Sequence, residues 1–321
     1  MSEKMVSSIT GWIIYKKEEK NLTKENYNIL RLLEAAREKK IDIKIFTPEQ
    51  FELIITKSNE CHSIFINDEL HTLPDFILPR IGSGSNYFTL AVLRQLEHLG
   101  VYVCNTAQAI ELVKDKLHCH QVMSFHNLPI PKTMLVKLLS ETKSIDTKIV
   151  EREIGFPAVV KNITGSEGAG IYLTESASKF RDLMELVYVN NPDANIIIQK
   201  YIKASHGKDL RVLVVGGRII ACMQRTSGDG DFKANFSRGG STESFVVTPE
   251  IEWLAIETTK ITGLDIAGID LLFDEEGFKI CEANSSPGFK GLELAVGKNI
   301  AEQIIDYIIF RVQQKEKSKV C

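Results

Sequence analysis

The sequence predicts an α/β (α+β) chain, and three observations carry that expectation. Over the first hundred residues short β-rich runs alternate with amphipathic stretches, the rhythm of a parallel sheet with crossover helices. Beyond residue 200, two apolar pairs joined by glycine-containing tips read as antiparallel hairpins. With 44% apolar residues in 321, the chain is too apolar for disorder and too long for one compact core. Domains of roughly 100–150 residues would give two or three units. The expected division is 1–105 for the α/β domain, 106–203 for linker helices and a central domain, and 204–321 for a C-terminal domain.

The elements follow in order. Residues 11–15 form a strand, Thr23 can cap a helix over 24–40, 41–46 is a second strand, and Thr47 can cap another helix. A hairpin near 63–73 precedes a strand at 75–80, a helix at 86–99 stopped by Gly100, and a strand at 101–104. A helical pattern over 107–126 is broken by Asn127-Leu-Pro-Ile-Pro131, since each proline lacks a donor and disfavours helix at the residue before it. Strands are expected at 133–136, 156–161, 170–173 and 195–202, with helices at 146–154 and 176–189. Gly216-Gly217 separates strands 210–215 and 218–225. Helix 249–262 leads into the second hairpin, and 296–314 closes the chain as an amphipathic helix with KEKSK as its frayed, solvated end.

Charge and composition exclude several classes. Thirty-nine basic against 42 acidic residues give a net charge of −3, which rules out a generally basic surface for wrapping nucleic acid. No apolar run approaches the roughly 20 residues that span a bilayer, and MSEKMVSS leads into no long apolar segment, so neither a membrane partner nor a secretory signal is expected and the reading is cytoplasmic. The six cysteines include no CxxC pair and read as reduced, mostly buried residues.

Three segments could carry chemistry. In 264–288, a three-residue loop at Glu275-Glu276-Gly277 would pair Asp274 with Phe278 and so place Asp270 opposite Glu282. Side-chain alternation then puts Asp270, Glu282 and Asn284 on one face and Ile269, Leu271, Cys281 and Ala283 on the other. Two carboxylates across a ladder repel, so either a cation such as Mg²⁺ or Mn²⁺ sits between them or arginines solvate them. A bulge would shift this register. In 156–171, a buried strand ends at Lys161 and runs into a loop with Gly165, Gly168 and Gly170, whose N–H groups could cradle phosphate or merely make a turn. It lacks the GK[ST] of a Walker loop. In 225–240, Arg225, Lys233 and Arg238 join Asn235 in a polar stretch that reads as a functional loop or a solvated one. His118-Cys119-His120 is a weaker candidate, because successive helical residues point to different faces.

Taken together and in order, LPRIGSGS (78–85), VKDKL (113–117), FPAVVKNITGSEGAGI, IIIQKYIKASHGKDLRVLVVGGRI (196–219), GDGDFKANFSRGG (228–240), AGIDLLF and CEANSSPGFKG resemble the ATP-grasp ligases, and more closely their RimK-like branch, which adds glutamate to a carboxylate. The resemblance implies an ATP-grasp fold with an N-terminal pre-ATP-grasp α/β domain. It implies that Lys116 and Lys161 contact ATP phosphates, that Gly165, Ser166, Glu167, Gly168 and Gly170 cover them, that Gln199, Lys200, Tyr201 and Ile202 lie beside adenine, and that Asp209 sits at the ribose. Asp270, Glu282 and Asn284 would hold two Mg²⁺ ions, with Mn²⁺ an alternative. Arg211, Arg225, Asn235 and Arg238 would surround the reacting carboxylate.

The implied reaction is ATP-dependent amide formation through an acyl phosphate, joining glutamate or another amino acid to a peptide, a protein tail or a small acid. Homodimers or homotetramers are implied by the resemblance alone. Lys200 stands where the family has a glutamate, Lys233-Ala234 replaces Arg-Ser, and Ser237 replaces a histidine, departures that bear on the substrate more than on ATP. The competing readings are a ligase that modifies a peptide in a biosynthetic pathway, and a nucleotide-binding regulator without turnover.

Overall fold

A computed structural model describes residues 9–55, 64–136, 147–163, 170–228, 230–234 and 239–319. The N-terminal part is built on β1 (Thr10–Ile14), α1 (Tyr27–Glu38), β2 (Asp42–Phe46), β3 (Phe51–Leu53), β4 (Ile64–Ile66), β5 (Glu69–Leu70), β6 (Phe76–Pro79), α2 (Tyr87–His98) and β7 (Tyr102–Val103). Strands β2-β1-β6-β7 form a parallel sheet in that order, as the strand–helix rhythm predicts. Two expectations shift here. The first helix begins at Tyr27, because the Asn26 carboxamide oxygen accepts from the Thr23 N–H and hydroxyl and closes a turn there. Thr47 does complete a capping box with Gln50, but only for one 3₁₀ turn. Phe51 then joins β3 and packs its ring 6.0 Å from Trp12 and 5.9 Å from Phe46, so tertiary packing overrides the helical start.

The middle of the chain carries α3 (Ala107–Lys114), α4 (Lys116–Phe125), β8 (Thr133–Val136), α5 (Thr147–Glu153), β9 (Ala158–Asn162), β10 (Ile171–Thr174), α6 (Ala177–Asn190) and β11 (Ile196–Lys200). The helical pattern over 107–126 is divided at Asp115, which leaves helical geometry and accepts the His118 N–H as the cap of α4. The four strands form an antiparallel sheet, β10-β9-β11-β8, against which Val150, Phe180 and Met184 bury one face of α5 and α6.

The last part contains β12 (Lys208–Val215), β13 (Arg218–Thr226), β14 (Ser241–Ser244), α7 (Pro249–Thr262), β15 (Ile266–Asp274), β16 (Gly277–Asn284), α8 (Lys290–Val296) and α9 (Ile300–Lys319). The strands form an antiparallel sheet ordered β14-β13-β12-β15-β16, and β14 has no counterpart in the sequence reading. Val212 and Val214 pack under α7, whereas Leu213 and Val215 join the core shared with α9 and the N-terminal sheet. The expected terminal helix is present as α9, starting four residues later at Ile300 and running on to Lys319, while α8, which ends at the left-handed Gly297, has no counterpart in the sequence reading. Lys315 in the basic end donates to the Gly100 carbonyl.

Gly216 and Gly217 make the β12–β13 turn with φ of +57° and +74°. A β-carbon on Gly216 would lie 2.3 Å from the Tyr307 ring, whereas one on Gly217 would meet nothing within 4 Å. Gly216→Ala should therefore cost about 2–3 kcal/mol of stability and Gly217→Ala only about 1, readable as a difference in urea midpoint; equal costs would mean that the tyrosine yields freely.

Candidate active site

The β15–β16 ribbon shows how a register can be partly misread and still deliver the right pair. Its tip is a two-residue loop, with Asp274 opposite Gly277 and Phe273 opposite Phe278, one residue away from the expected pairing. A bulge between Asp270 and Leu271 then adds one residue on β16, so Asp270 does face Glu282 and Gly268 faces Asn284. The spare residue is Cys281. It was expected on the apolar face with Ile269, Leu271 and Ala283; instead it lines the cleft, its Sγ 3.6 Å from Lys161 Nζ.

Asp270 is almost fully buried, and arginines satisfy it. Arg211 donates to both its oxygens (2.7 and 2.6 Å), and Arg225 Nη2 lies 3.0 Å from Oδ2. Arg225 also donates to both oxygens of Asp209, each at 2.7 Å. These four residues stand on neighbouring strands, with Asp209 opposite Arg225 and Arg211 opposite Asp270, so the charges balance within the sheet. Burial raises the Asp270 pKa, but the two guanidiniums outweigh it and hold it at about 2. Burial pushes Asp209 up, despite Arg225. Burial opposes the charge on Arg225, yet Asp270 and Asp209 raise its pKa overall.

A second cluster joins the central sheet to this ribbon. Lys116 opens α4, and burial lowers its pKa, opposed by Glu282 and reinforced by Lys161. Lys161 is buried in β9. His120 Nε2 lies 3.0 Å from the Cys281 carbonyl, and its Nδ1 lies 3.1 Å from Thr133 Oγ1 and 3.2 Å from Gln199 Nε2. A carbonyl can only accept, so Nε2 carries the proton and Nδ1 accepts from Gln199. Burial drops the His120 pKa to about 4, which keeps the ring neutral. His120 is thus a connector, and among the described residues no group of three His, Cys, Asp or Glu converges to hold an ion.

A cleft of about 650 Å³ runs between the β2-β1-β6-β7, β10-β9-β11-β8 and β14-β13-β12-β15-β16 sheets. It is lined by Lys116, Lys161, Gln199, Lys200, Tyr201, Ile202, Asp209, Arg211, Arg225, Asp270, Glu282 and Asn284. Gly170 lies at the start of β10 outside that lining, and its carbonyl accepts the Asn162 N–H (3.1 Å). The Lys200 N–H donates to the Lys132 carbonyl (2.9 Å). Gly165, Ser166, Glu167, Gly168, Asn235 and Arg238 lie outside the described residues.

The cleft also contains residues the sequence reading did not assign: Tyr15, Asn28, Arg80, Lys114 and Lys290. Their contributions come from the N-terminal part, from the end of α3 and from the segment after β16. Asn105, buried, binds four backbone groups, accepting from the N–H of Asp265 (2.6 Å) and Ile266 (2.8 Å) and donating to the carbonyls of Ile266 (2.8 Å) and Ser285 (2.7 Å). It thereby fixes the start of β15 against the end of β16. Nothing local in the sequence marks it, because its partners lie 160 or more positions away.

The donor set suits a hard cation. Asp270, Glu282 and Asn284 supply two carboxylates and an amide oxygen, and Mg²⁺ commonly takes one or two carboxylates, filling the rest of its octahedron with phosphate and water oxygens. Glu282 accepts a hydrogen bond from Asn284 Nδ2 (3.3 Å) and forms no ion pair within 4.0 Å among the described residues. Asp270 would exchange a guanidinium contact for the metal.

Comparison with known proteins places this geometry in context. Residues 113–308 match the model of the RimK-like ATP-grasp domain, and 21–110 match that of the RimK pre-ATP-grasp domain. A protein of Shewanella amazonensis named "Probable alpha-L-glutamate ligase 1" is 35% identical over 91% of this chain and 95% of its own. A "Probable alpha-L-glutamate ligase" of Methanococcoides burtonii is 36% identical over 88% and 91%. Among solved structures, the ATP-grasp ligase PsnB, complexed with a variant of its minimal precursor, Mg and ADP, has a TM-score of 0.71 at 17% identity, covering 95% of this chain and 99% of that one. D-alanine–D-alanine ligase of Bacillus anthracis has a TM-score of 0.67 at 16% identity over 98% and 100%.

Proposed function

Because the chain belongs to the RimK-like ATP-grasp family and is a carbon–nitrogen ligase, we propose that it uses ATP to join the amine of glutamate, or of another amino acid, to the carboxylate of a peptide, a protein tail or a small acid. The observation that carries this reading is the convergence in one cleft of the Asp270–Glu282 pair, the arginines Arg211 and Arg225, and Lys116 and Lys161. In this reading the chain divides near residues 105 and 203, so that the cleft lies between an N-terminal unit and two units that hold the nucleotide.

The chemistry follows from charge. A carboxylate approaching the γ-phosphate brings one anion to another, so cationic groups must neutralise both. In this reading Arg211 and Arg225 meet the acid, and Lys116 and Lys161 meet phosphate. Mg²⁺ held by Asp270, Glu282 and Asn284, as two ions and with Mn²⁺ able to substitute, would screen the triphosphate. The carboxylate oxygen bonds to the γ-phosphorus as the bond to ADP breaks, giving an acyl phosphate. The amine then attacks the acyl carbon, loses a proton and expels phosphate, leaving the amide. Arg238, with Asn235, is assigned to the tetrahedral oxyanion of that second step, and the loop carrying Gly165, Ser166, Glu167 and Gly168 to covering the phosphates and excluding water.

The reading is tested by ADP release with pooled amino acids against candidate acceptors, followed by mass spectrometry of the product. Glutamate-dependent release with a product heavier by added residues supports it. Binding of ATP with Mg²⁺ and no release for any pair would favour a regulator that keeps the fold without turnover.

A further inference from the structure

The parallel sheet of the N-terminal part has a switch in direction. From β1 the chain moves to β2 on one side, and β6 then returns to the other side of β1. In open parallel sheets the crevice at the carboxyl ends of the two strands flanking such a switch is where ligands settle. Tyr15 follows β1 there and Arg80 follows β6, its N–H donating to the Ile14 carbonyl (2.8 Å), and both line the cleft.

Arg80 is 7% exposed and has no carboxylate partner among the described residues. Its Nη2 donates to the Pro287 carbonyl (2.6 Å), and its guanidinium lies 6.0 Å from the Phe289 ring centre. The cleft's other carboxylates are committed or remote: Asp209 and Asp270 are bound to Arg225 and Arg211, Glu282 faces Asn284, and Glu25 is exposed and makes no ion pair with Arg80. Burial lowers the Arg80 pKa to about 10, as expected of a cation without a counter-ion. A buried guanidinium costs free energy unless an anion completes it, and its planar fork matches a carboxylate. Asn28 faces the same loop: its Oδ1 accepts the Phe289 N–H (2.9 Å), and its Nδ2 stands 3.4 Å from where a β-carbon on Gly288 would be. Pro287 is three residues beyond Asn284, a span of at most about 11 Å, so an anion on Arg80 lies one small substrate away from the metal-binding ribbon.

We propose that Arg80 anchors a carboxylate-binding subsite at the switch point of the N-terminal sheet, which takes a carboxylate of the amine-donating amino acid that does not react. The subsite rests on the ligase reading above and adds to it the part of the cleft that selects an acidic amino acid.

The test compares wild type with Arg80→Met and Arg80→Lys by thermal shift, using Mg²⁺ with a non-hydrolysable ATP analogue, then L-glutamate, with glutaramide as the uncharged control. The expected result is a glutamate-dependent shift in wild type that is absent in Arg80→Met and reduced in Arg80→Lys, no shift with glutaramide, and an equal nucleotide shift in all three proteins. In turnover, KM for glutamate should rise about 10- to 100-fold with KM for ATP within about twofold. A glutamate shift unchanged in Arg80→Met, or no glutamate shift in wild type that binds nucleotide, overturns the subsite. Loss of the nucleotide shift in Arg80→Met would overturn it too, marking Arg80 as structural. A wild type that fails to bind nucleotide is the separate signature of a failed ligase reading, and it removes the subsite with it.

Discussion

Glu282→Gln is expected to lower ADP release about a thousandfold while the protein melts within a few degrees of wild type. The carboxylate forms no ion pair among the described residues, and its hydrogen bond comes from Asn284 Nδ2, which a glutamine carbonyl can equally accept. The charge that the substitution removes therefore does little for the fold. In the proposed site it is one of two carboxylates offered to a divalent cation, and loss of a preorganised charge at a phosphoryl-transfer centre is worth about 4 kcal/mol. The measurement is a coupled ADP assay, together with a nucleotide titration with and without Mg²⁺. The variant should bind ATP alone as wild type does and lose the gain that Mg²⁺ confers. Turnover within tenfold of wild type would remove Glu282 from the metal site.

Asp270→Ala should fail in a different way, losing both activity and stability. Its carboxylate is buried and holds Arg211 and Arg225, so truncation strands positive charge in the sheet at a cost of about 3–5 kcal/mol. Urea unfolding would show this as a lowered midpoint, and an unchanged midpoint would mean that the arginines find other partners. The same contact sets an acid limit. With a folded-state pKa of about 2, below the roughly 3.9 of an unfolded aspartate, the Asp270 contribution is complete above about pH 4 and is lost as pH falls toward 2. Asp209, with its pKa raised by burial, works in the opposite sense, so the acid limb should be steeper in Asp209→Asn than in wild type.

What could be read from the sequence depended on the range of the interaction. The apolar runs of β12 and β13, the glycine pair between them, and the Thr248, Pro249 and Gly263 punctuation of α7 are local signals, and the structure follows them. The Asp270–Glu282 pairing was reached through a three-residue loop that is in fact two, and the bulge at Cys281 restores the count, so the pair was right and the face given to Cys281 was wrong. Phe51 entered a strand instead of a helix because Trp12 and Phe46 lie across the fold. Arg80 belongs to the LPRIGSGS segment, yet its lack of a carboxylate partner among the described residues appears only when β1, β6 and the loop beyond β16 are brought together. The ion pairs of Asp209 and Asp270 with Arg225 and Arg211 needed the strand order, which alternation alone cannot supply.

The supernumerary residue on β16 has a mechanical consequence. That residue, Cys281, stands on the edge strand of its sheet and gives its carbonyl to His120, whose other nitrogen meets the side chain of Gln199 on β11. The two walls are thereby riveted through a neutral ring at one point. Sliding either wall by a single residue would break that rivet, whereas a pivot about His120 would keep both contacts.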